Sequence, residues 1–266
     1  MSIPDPNGPS AYSTGLWTRR IGPIAAARRV VLLHGFTQTG TSWFGAATTL
    51  AEAGFGALVP DLPGHGGSSD VDADLERSAD LVGEVGGRAL YVGYSMGGRV
   101  ALHLALRRPD LVAGLVLIGA TGGIEDPRER AERVAADEVL AVALEQDGVA
   151  AFLTRWLAHP LFAHLPLDRA DLAARHSNTV RGLAASLRRC GTGTQRPLWD
   201  ELKNVACPTL VLAGQYDAKF RTIGQRLADA IGTNAAFDVV ADSGHAAQLE
   251  QPDRTLVLLR TFLDAS

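Results

Sequence analysis

The chain has 266 residues, 46% of them hydrophobic and 20% charged, with a formal net charge of −4. That suffices for one large domain with a real core, or one domain carrying an insertion, and the weak negative charge gives no basis for binding nucleic acid or a membrane surface. Cys190 and Cys207 lack metal-ligand spacing, which fits a reducing cytoplasm, and no apolar run approaches a membrane span.

From the N-terminus, residues 1–15 are polar with Pro and Gly, and read as a loose tail rather than a signal peptide. Residues 16–24 read as a short edge strand. Val30-Val31-Leu32-Leu33 is a buried strand running into His34-Gly35-Phe36. Residues 42–53 carry Trp43, Ala47 and Leu50 at helical spacing, and Gly54 ends the helix. Residues 55–59 form the next strand, broken by the turn-rich loop Pro60-Asp61-Leu62-Pro63-Gly64-His65-Gly66-Gly67-Ser68-Ser69. A helix over 75–85 precedes the apolar run Ala89-Leu90-Tyr91-Val92, a buried strand, and residues 100–105 are good helix formers. Residues 111–118 are another strand. This alternation predicts an α/β fold, a mostly parallel sheet flanked by helices. After Gly123 the rhythm changes. Helical patterns over 126–146, 150–158, 168–176 and 179–190 contain no convincing strand and read as a helical cap. Strands at 208–214 and 237–240 and a closing helix over 256–263 resume the alternation. The expected organisation is therefore a core of residues 1–123 and 199–266 interrupted by a cap of residues 124–198.

The strand and helix around residue 95 are joined by Gly93-Tyr94-Ser95-Met96-Gly97, a G-x-S-x-G. In a strand–turn–helix context that pattern raises a serine on a sharp turn beside the free N–H groups of a helix start. Serine is a poor nucleophile or base until an imidazole takes its proton, and the imidazole needs an acid to hold its tautomer. Asp217 follows the strand ending at Gly214, and His245 lies on the loop after the strand ending at Val240. Both sit at carboxyl ends of strands, where such sheets bind ligands. Asp238 and Asp242 rival Asp217, but they lie within or just after the strand that leads to the histidine. Of the other histidines, His34 and His65 read as loop supports, and His103, His159, His164 and His176 fall on helices or their ends. An oxyanion hole needs two N–H donors, and the backbone amides of Met96 and Phe36 are the natural pair.

The motifs HGF, DLPGHGGSS, GYSMGG, GQYD and SGH occur in order over nearly the whole length. The sequence thereby resembles the α/β-hydrolase superfamily. Within it the sequence is similar to the 2-succinyl-6-hydroxy-2,4-cyclohexadiene-1-carboxylate synthases of menaquinone biosynthesis. The closer resemblance rests on Gly93-Tyr94-Ser95-Met96-Gly97-Gly98-Arg99, Arg130-Ala131-Glu132-Arg133, Trp156 with His159-Pro160-Leu161-Phe162, Arg175 with Asn178, and Gly214-Gln215-Tyr216-Asp217-Ala218-Lys219-Phe220. It implies an α/β-hydrolase fold with a helical cap inserted after the sixth strand. It implies a lyase that eliminates pyruvate from 2-succinyl-5-enolpyruvyl-6-hydroxy-3-cyclohexene-1-carboxylate, with Ser95, His245 and Asp217 acting together as a general base. It further implies a cytoplasmic enzyme without cofactor or metal, acting on a small polycarboxylate as a monomer or weak homo-oligomer.

The residues give partial independent support. Arg99 is one helical turn past Ser95, so both can face one cleft. A charge beside a partly buried nucleophile is costly unless paired, and a carboxylate substrate would pair it; a structural salt bridge is the other reading. Arg133 and Arg175 alone would read as solvated cap residues, and Tyr94 and Trp156 as core. The motif match raises all four to substrate contacts, with three guanidinium forks over Ser95. Gln248 stands where many superfamily members carry a second histidine. The alternative activity is a serine hydrolase, an esterase or carbon–carbon bond hydrolase, of an anionic substrate.

Overall fold

A computed structural model describes residues 15–23, 26–166 and 168–265. The expected tail, apart from Gly15, lies outside these residues, as does the last residue of the expected edge strand. In chain order the elements are β1 (Thr18–Ile21), β2 (Arg29–Leu33), α1 (Phe44–Glu52), β3 (Gly56–Pro60), α2 (Leu75–Gly86), β4 (Ala89–Tyr94), α3 (Met96–Arg107), β5 (Val112–Ile118), α4 (Pro127–Leu157), α5 (Arg169–His176), α6 (Val180–Cys190), β6 (Thr209–Gly214), α7 (Ala218–Ile231), β7 (Ala235–Val240), α8 (Ala247–Glu250) and α9 (Pro252–Ala265). The strands form one sheet in the order β1-β3-β2-β4-β5-β6-β7. Only β1 runs antiparallel, pairing Thr18 with Pro60 and Ile21 with Ala57.

Consecutive strand residues point to opposite faces, and the apolar runs are buried on both. Val31, Leu33, Tyr91, Leu115 and Leu117 pack with Ala79 and Val82 of α2 and Val100 and Leu104 of α3. Their neighbours Val30, Leu32, Leu90, Val92, Val116 and Ile118 pack on the other face with Ala47 and Leu50 of α1 and Leu259 and Leu263 of α9. Each large side chain fully buried in this way stabilises the fold by about 1.5–3 kcal/mol. Polar residues place the helix starts: Asp74 accepts the Arg77 N–H at 2.8 Å, and Asp126 accepts from Arg128 and Glu129 just before Pro127.

The stretch between β5 and β6 contains α4, α5 and α6 and no strand among the described residues. Residues 126–146 and 150–158 read as two helices in the sequence. They are two helices, the two arms of α4, which meet at a kink at Gly148, whose φ of 79° and ψ of 170° are non-helical. Ala141, Leu144 and Phe152 of α4 pack on Leu183, Ala184 and Leu187 of α6. The resemblance put this insertion after a sixth strand; it follows the fifth among the described residues. Among the described residues β1 alone precedes β2.

Candidate active site

The turn from β4 into α3 is built by glycines. A Cβ on Gly93 would collide with the Gly97 carbonyl, and one on Gly97 with the Leu33 carbonyl. Ser95 takes φ 49° and ψ −108°, a conformation disfavoured for any residue with a Cβ. It is held there partly by its own N–H, which donates to the Ile118 carbonyl of β5 at 2.8 Å.

The two loops beyond β6 and β7 bring their side chains to this turn. His245 Nε2 lies 3.3 Å from Ser95 Oγ, the loose end of hydrogen-bond range, and His245 Nδ1 lies 2.7 Å from Asp217 Oδ2. Asp217 Oδ1 also accepts the Phe220 N–H at 3.1 Å, so one carboxylate caps α7 and orients the imidazole. Asp217 and His245 are both buried. The rival acids sit elsewhere: Asp242 is exposed and paired with Arg254, and Asp238 is exposed and accepts its neighbour's N–H. Tyr94 and Phe220 flank the imidazole, with ring centroids 5.4 and 4.5 Å from it.

The N–H groups of Phe36 and Met96 have no acceptor among the described residues. Phe36 follows a region tied down by polar groups. His34 donates from Nδ1 to the Gly35 carbonyl at 2.8 Å and accepts the Leu62 N–H on Nε2 at 2.9 Å. Burial holds it far below the usual histidine range, so it stays neutral. Asp61, in the glycine-rich loop, accepts the Gly40 and Gly67 N–H groups at 2.7 and 2.8 Å. Burial nevertheless pushes its carboxyl up to about 6.

Ser95 and His245 open onto a cavity of about 780 Å³, also lined by Tyr94, Trp156, Arg99 and Arg133. Arg99 is buried, and its Nη1 donates to the Gly191 carbonyl at 3.3 Å. Among the described residues no carboxylate lies within 4.0 Å of it, so the salt-bridge reading of this residue is not what is seen. Burial pulls its guanidinium down to about 10. Arg133 is half-exposed and donates to Asp137 Oδ1 at 2.9 Å. Asp137 is buried, burial raises its carboxyl, and its Oδ2 has no hydrogen-bond partner. The Trp156 indole stacks on Phe152 and meets the edge of Phe36, and its Nε1–H is buried without an acceptor.

Arg175 departs from the expected convergence of three arginines. It is 2% exposed and does not line the cavity. Its Nε donates to Asp171 Oδ2 at 2.6 Å and its Nη1 to Thr37 Oγ1 at 2.5 Å. An acid one helical turn away on α5 and a hydroxyl beneath α5 capture the guanidinium before it reaches Ser95. The sequence reading also passed over Asp137 and Glu250. Asp137 had a signal, its i,i+4 spacing from Arg133. Glu250 had none: its carboxylate accepts the N–H groups of Gly244 and Ala246, on either side of His245, and backbone partners leave no mark in sequence. Gln248 is buried, and its side-chain amide has no hydrogen-bond partner among the described residues. Among the described residues no cluster of His, Cys, Asp and Glu could hold a metal ion, and no helix is long and apolar enough to cross a membrane.

Comparison with known proteins identifies the family and the fold. Residues 30–257 match the model of the alpha/beta hydrolase family. A putative 2-succinyl-6-hydroxy-2,4-cyclohexadiene-1-carboxylate synthase of Bacillus subtilis (strain 168) is 32% identical over 244 residues, 85% of this chain and 87% of that protein. The structure of MenH from S. aureus superposes with a TM-score of 0.87 at 28% identity, covering 93% of this chain and 98% of that one. A thermophilic esterase from Thermogutta terrifontis, solved with malate bound, gives 0.78 at 26% identity over 94% of this chain and 93% of its own. The chain belongs to the alpha/beta hydrolase family and resembles its 2-succinyl-6-hydroxy-2,4-cyclohexadiene-1-carboxylate synthases.

Proposed function

We propose that this protein is a lyase that eliminates pyruvate from 2-succinyl-5-enolpyruvyl-6-hydroxy-3-cyclohexene-1-carboxylate, giving 2-succinyl-6-hydroxy-2,4-cyclohexadiene-1-carboxylate. The observation that carries the reading is Arg99, a buried guanidinium on the wall of the cavity that holds Ser95, with no carboxylate of the described residues within 4.0 Å. A cation left so costs stability unless a ligand supplies the anion.

In this reading His245 Nε2 takes the Ser95 proton, and Asp217 steadies the resulting imidazolium. Ser95 Oγ then removes a ring proton of the substrate. Negative charge gathers on the succinyl carbonyl oxygen, where the N–H groups of Phe36 and Met96 receive it; each such donor is worth about 3–4 kcal/mol in the transition state. The electrons return to form the new ring double bond as the carbon–oxygen bond to the enolpyruvyl group breaks, and the leaving group is protonated to pyruvate. No acyl-enzyme forms, and no cofactor is required. Arg99 and Arg133 hold the substrate carboxylates, and Tyr94 and Trp156 wall the ring. Arg175 drops out of the contact set. Residues 124–198 act as a cap over a core of 1–123 and 199–266, and the protein works in the cytoplasm on a small polycarboxylate, as a monomer or weak homo-oligomer.

The second reading is a serine hydrolase of an anionic substrate, supported by the esterase neighbour, since the same constellation serves acyl transfer. A pyruvate-release assay with the pathway substrate, run beside a panel of p-nitrophenyl esters, separates the two. Pyruvate release dependent on Ser95 supports the lyase. Rapid ester turnover without pyruvate release rejects it.

A further inference from the structure

Gln38 N–H donates to the Gly35 carbonyl at 3.1 Å and closes a tight turn over residues 35–38. Its third residue, Thr37, has a φ of 67°. Gly or Asn is the usual occupant of a left-handed third position, and a β-branched residue there is strained. Such a shape persists only where the surroundings over-determine it. Here the surroundings come from the helical insertion, more than 130 residues along the chain. Asn178, between α5 and α6, donates from Nδ2 to the Thr37 carbonyl at 2.8 Å and to the Arg175 carbonyl at 2.9 Å. Its Oδ1 accepts the Gly66 N–H of the glycine-rich loop at 2.8 Å. Arg175, held by Asp171, donates to the Thr37 hydroxyl. Asn178 and Arg175 are both buried and neither lines the cavity.

We propose that Asn178 and Arg175 are positioning residues that lock Thr37 in its left-handed shape and thereby hold the adjacent Phe36 N–H where charge develops. The oxyanion donor then depends on the insertion being seated against the core. Release of Thr37 lets the Phe36–Thr37 peptide rotate toward an ordinary turn, and the amide one residue earlier shifts with it. The proposal rests on the reading of Phe36 as an oxyanion donor.

The discriminating variant is Asn178→Asp. It keeps an acceptor for Gly66 but loses the amide donor to Thr37. Loss of donor alignment predicts a kcat lower by about tenfold or more with KM within about twofold, because an oxyanion contact acts in the transition state. Adding Thr37→Gly, which adopts a positive φ unaided, restores most of that kcat. Hydrogen exchange of a peptide covering residues 33–40 rises in Asn178→Asp and returns in the double variant. Thr37→Val, which deletes only the Arg175 contact, serves if Asn178→Asp does not fold, and lowers kcat with KM unchanged. An unchanged kcat, a raised KM at constant kcat, or a loss that Thr37→Gly does not rescue overturns the proposal. Rates are read on pyruvate release and, in parallel, on phosphonylation of Ser95 by a fluorophosphonate. If the wild type releases no pyruvate, the lyase reading falls, and the phosphonylation and exchange results still decide the role of Asn178.

Discussion

Replacing Arg99 by methionine separates binding from stability with opposite signs. Arg99 is 7% exposed, and burial pulls its guanidinium down to about 10. Measured against its ordinary value, at about 1.4 kcal/mol per tenfold change in proton affinity, holding this charge inside costs about 3 kcal/mol. The native pKa lies below the unfolded one, so the cost is fully present at every pH under about 10 and disappears only above the unfolded value. The hydrogen bond to the Gly191 carbonyl returns about 1 kcal/mol. Methionine keeps the unbranched stem and sheds the charge. Arg99→Met is therefore expected to raise the unfolding free energy by about 2 kcal/mol, seen as a higher urea midpoint at constant m-value. The same change removes the proposed charge-assisted contact to substrate and is expected to lower kcat/KM by about 10–100-fold. A variant less stable than wild type refutes the desolvation argument, and an unchanged kcat/KM refutes the binding role.

Ser95→Ala and His245→Ala are expected to abolish pyruvate release with unfolding midpoints close to wild type, and near-normal turnover in either rejects the base assignment. Gly93→Ala drives a methyl into the Gly97 carbonyl, so the turn at Ser95 shifts or the fold fails; activity and thermal midpoint both fall, and full activity would refute the packing argument. Stability falls on acidification. Burial lowers His34 far below its usual range and His65 and His103 to about 4 from 6.5, so below pH 6.5 the unfolded chain takes up three protons that the native state refuses. Asp61, raised to about 6 from 3.8, opposes one of them, because the native state keeps a proton the unfolded chain has released. Asp137, whose carboxyl burial also raises, opposes a further part, and the net of at least one proton predicts a loss of about 1.4 kcal/mol per pH unit or more between roughly pH 6 and 4.5. Urea midpoints that stay flat over that range contradict it.

The parts of the site legible in sequence are those fixed by short-range pattern. The apolar run into β4, the glycines on either side of Ser95, and the placement of Asp217 and His245 after successive strands all follow from local spacing. Gly148 shows the same: a glycine between two helical patterns separates them, and the helix breaks there. Arg175 was illegible because its environment is non-local. Its acid lies on its own helix, but the hydroxyl that completes its burial belongs to Thr37, on the far side of the sequence. Arg99 shows the converse, since the nearby acid Asp137 is drawn into an ion pair with Arg133 instead, a fact of tertiary packing. Glu250 grips main-chain amides, which any sequence supplies.

The strands that precede and follow the insertion, β5 and β6, are hydrogen-bonded neighbours, with Leu115 beside Thr209 and Ile118 beside Leu212. They run parallel, so the excursion leaves at the carboxyl end of β5 and returns to the amino end of β6 one strand over. Lengthening such a detour adds only a slowly growing closure entropy and disturbs no strand order. In the proposed reading of residues 124–198 as a cap, that segment can be lengthened or replaced without altering the order of the strands whose ends present Ser95, Asp217 and His245.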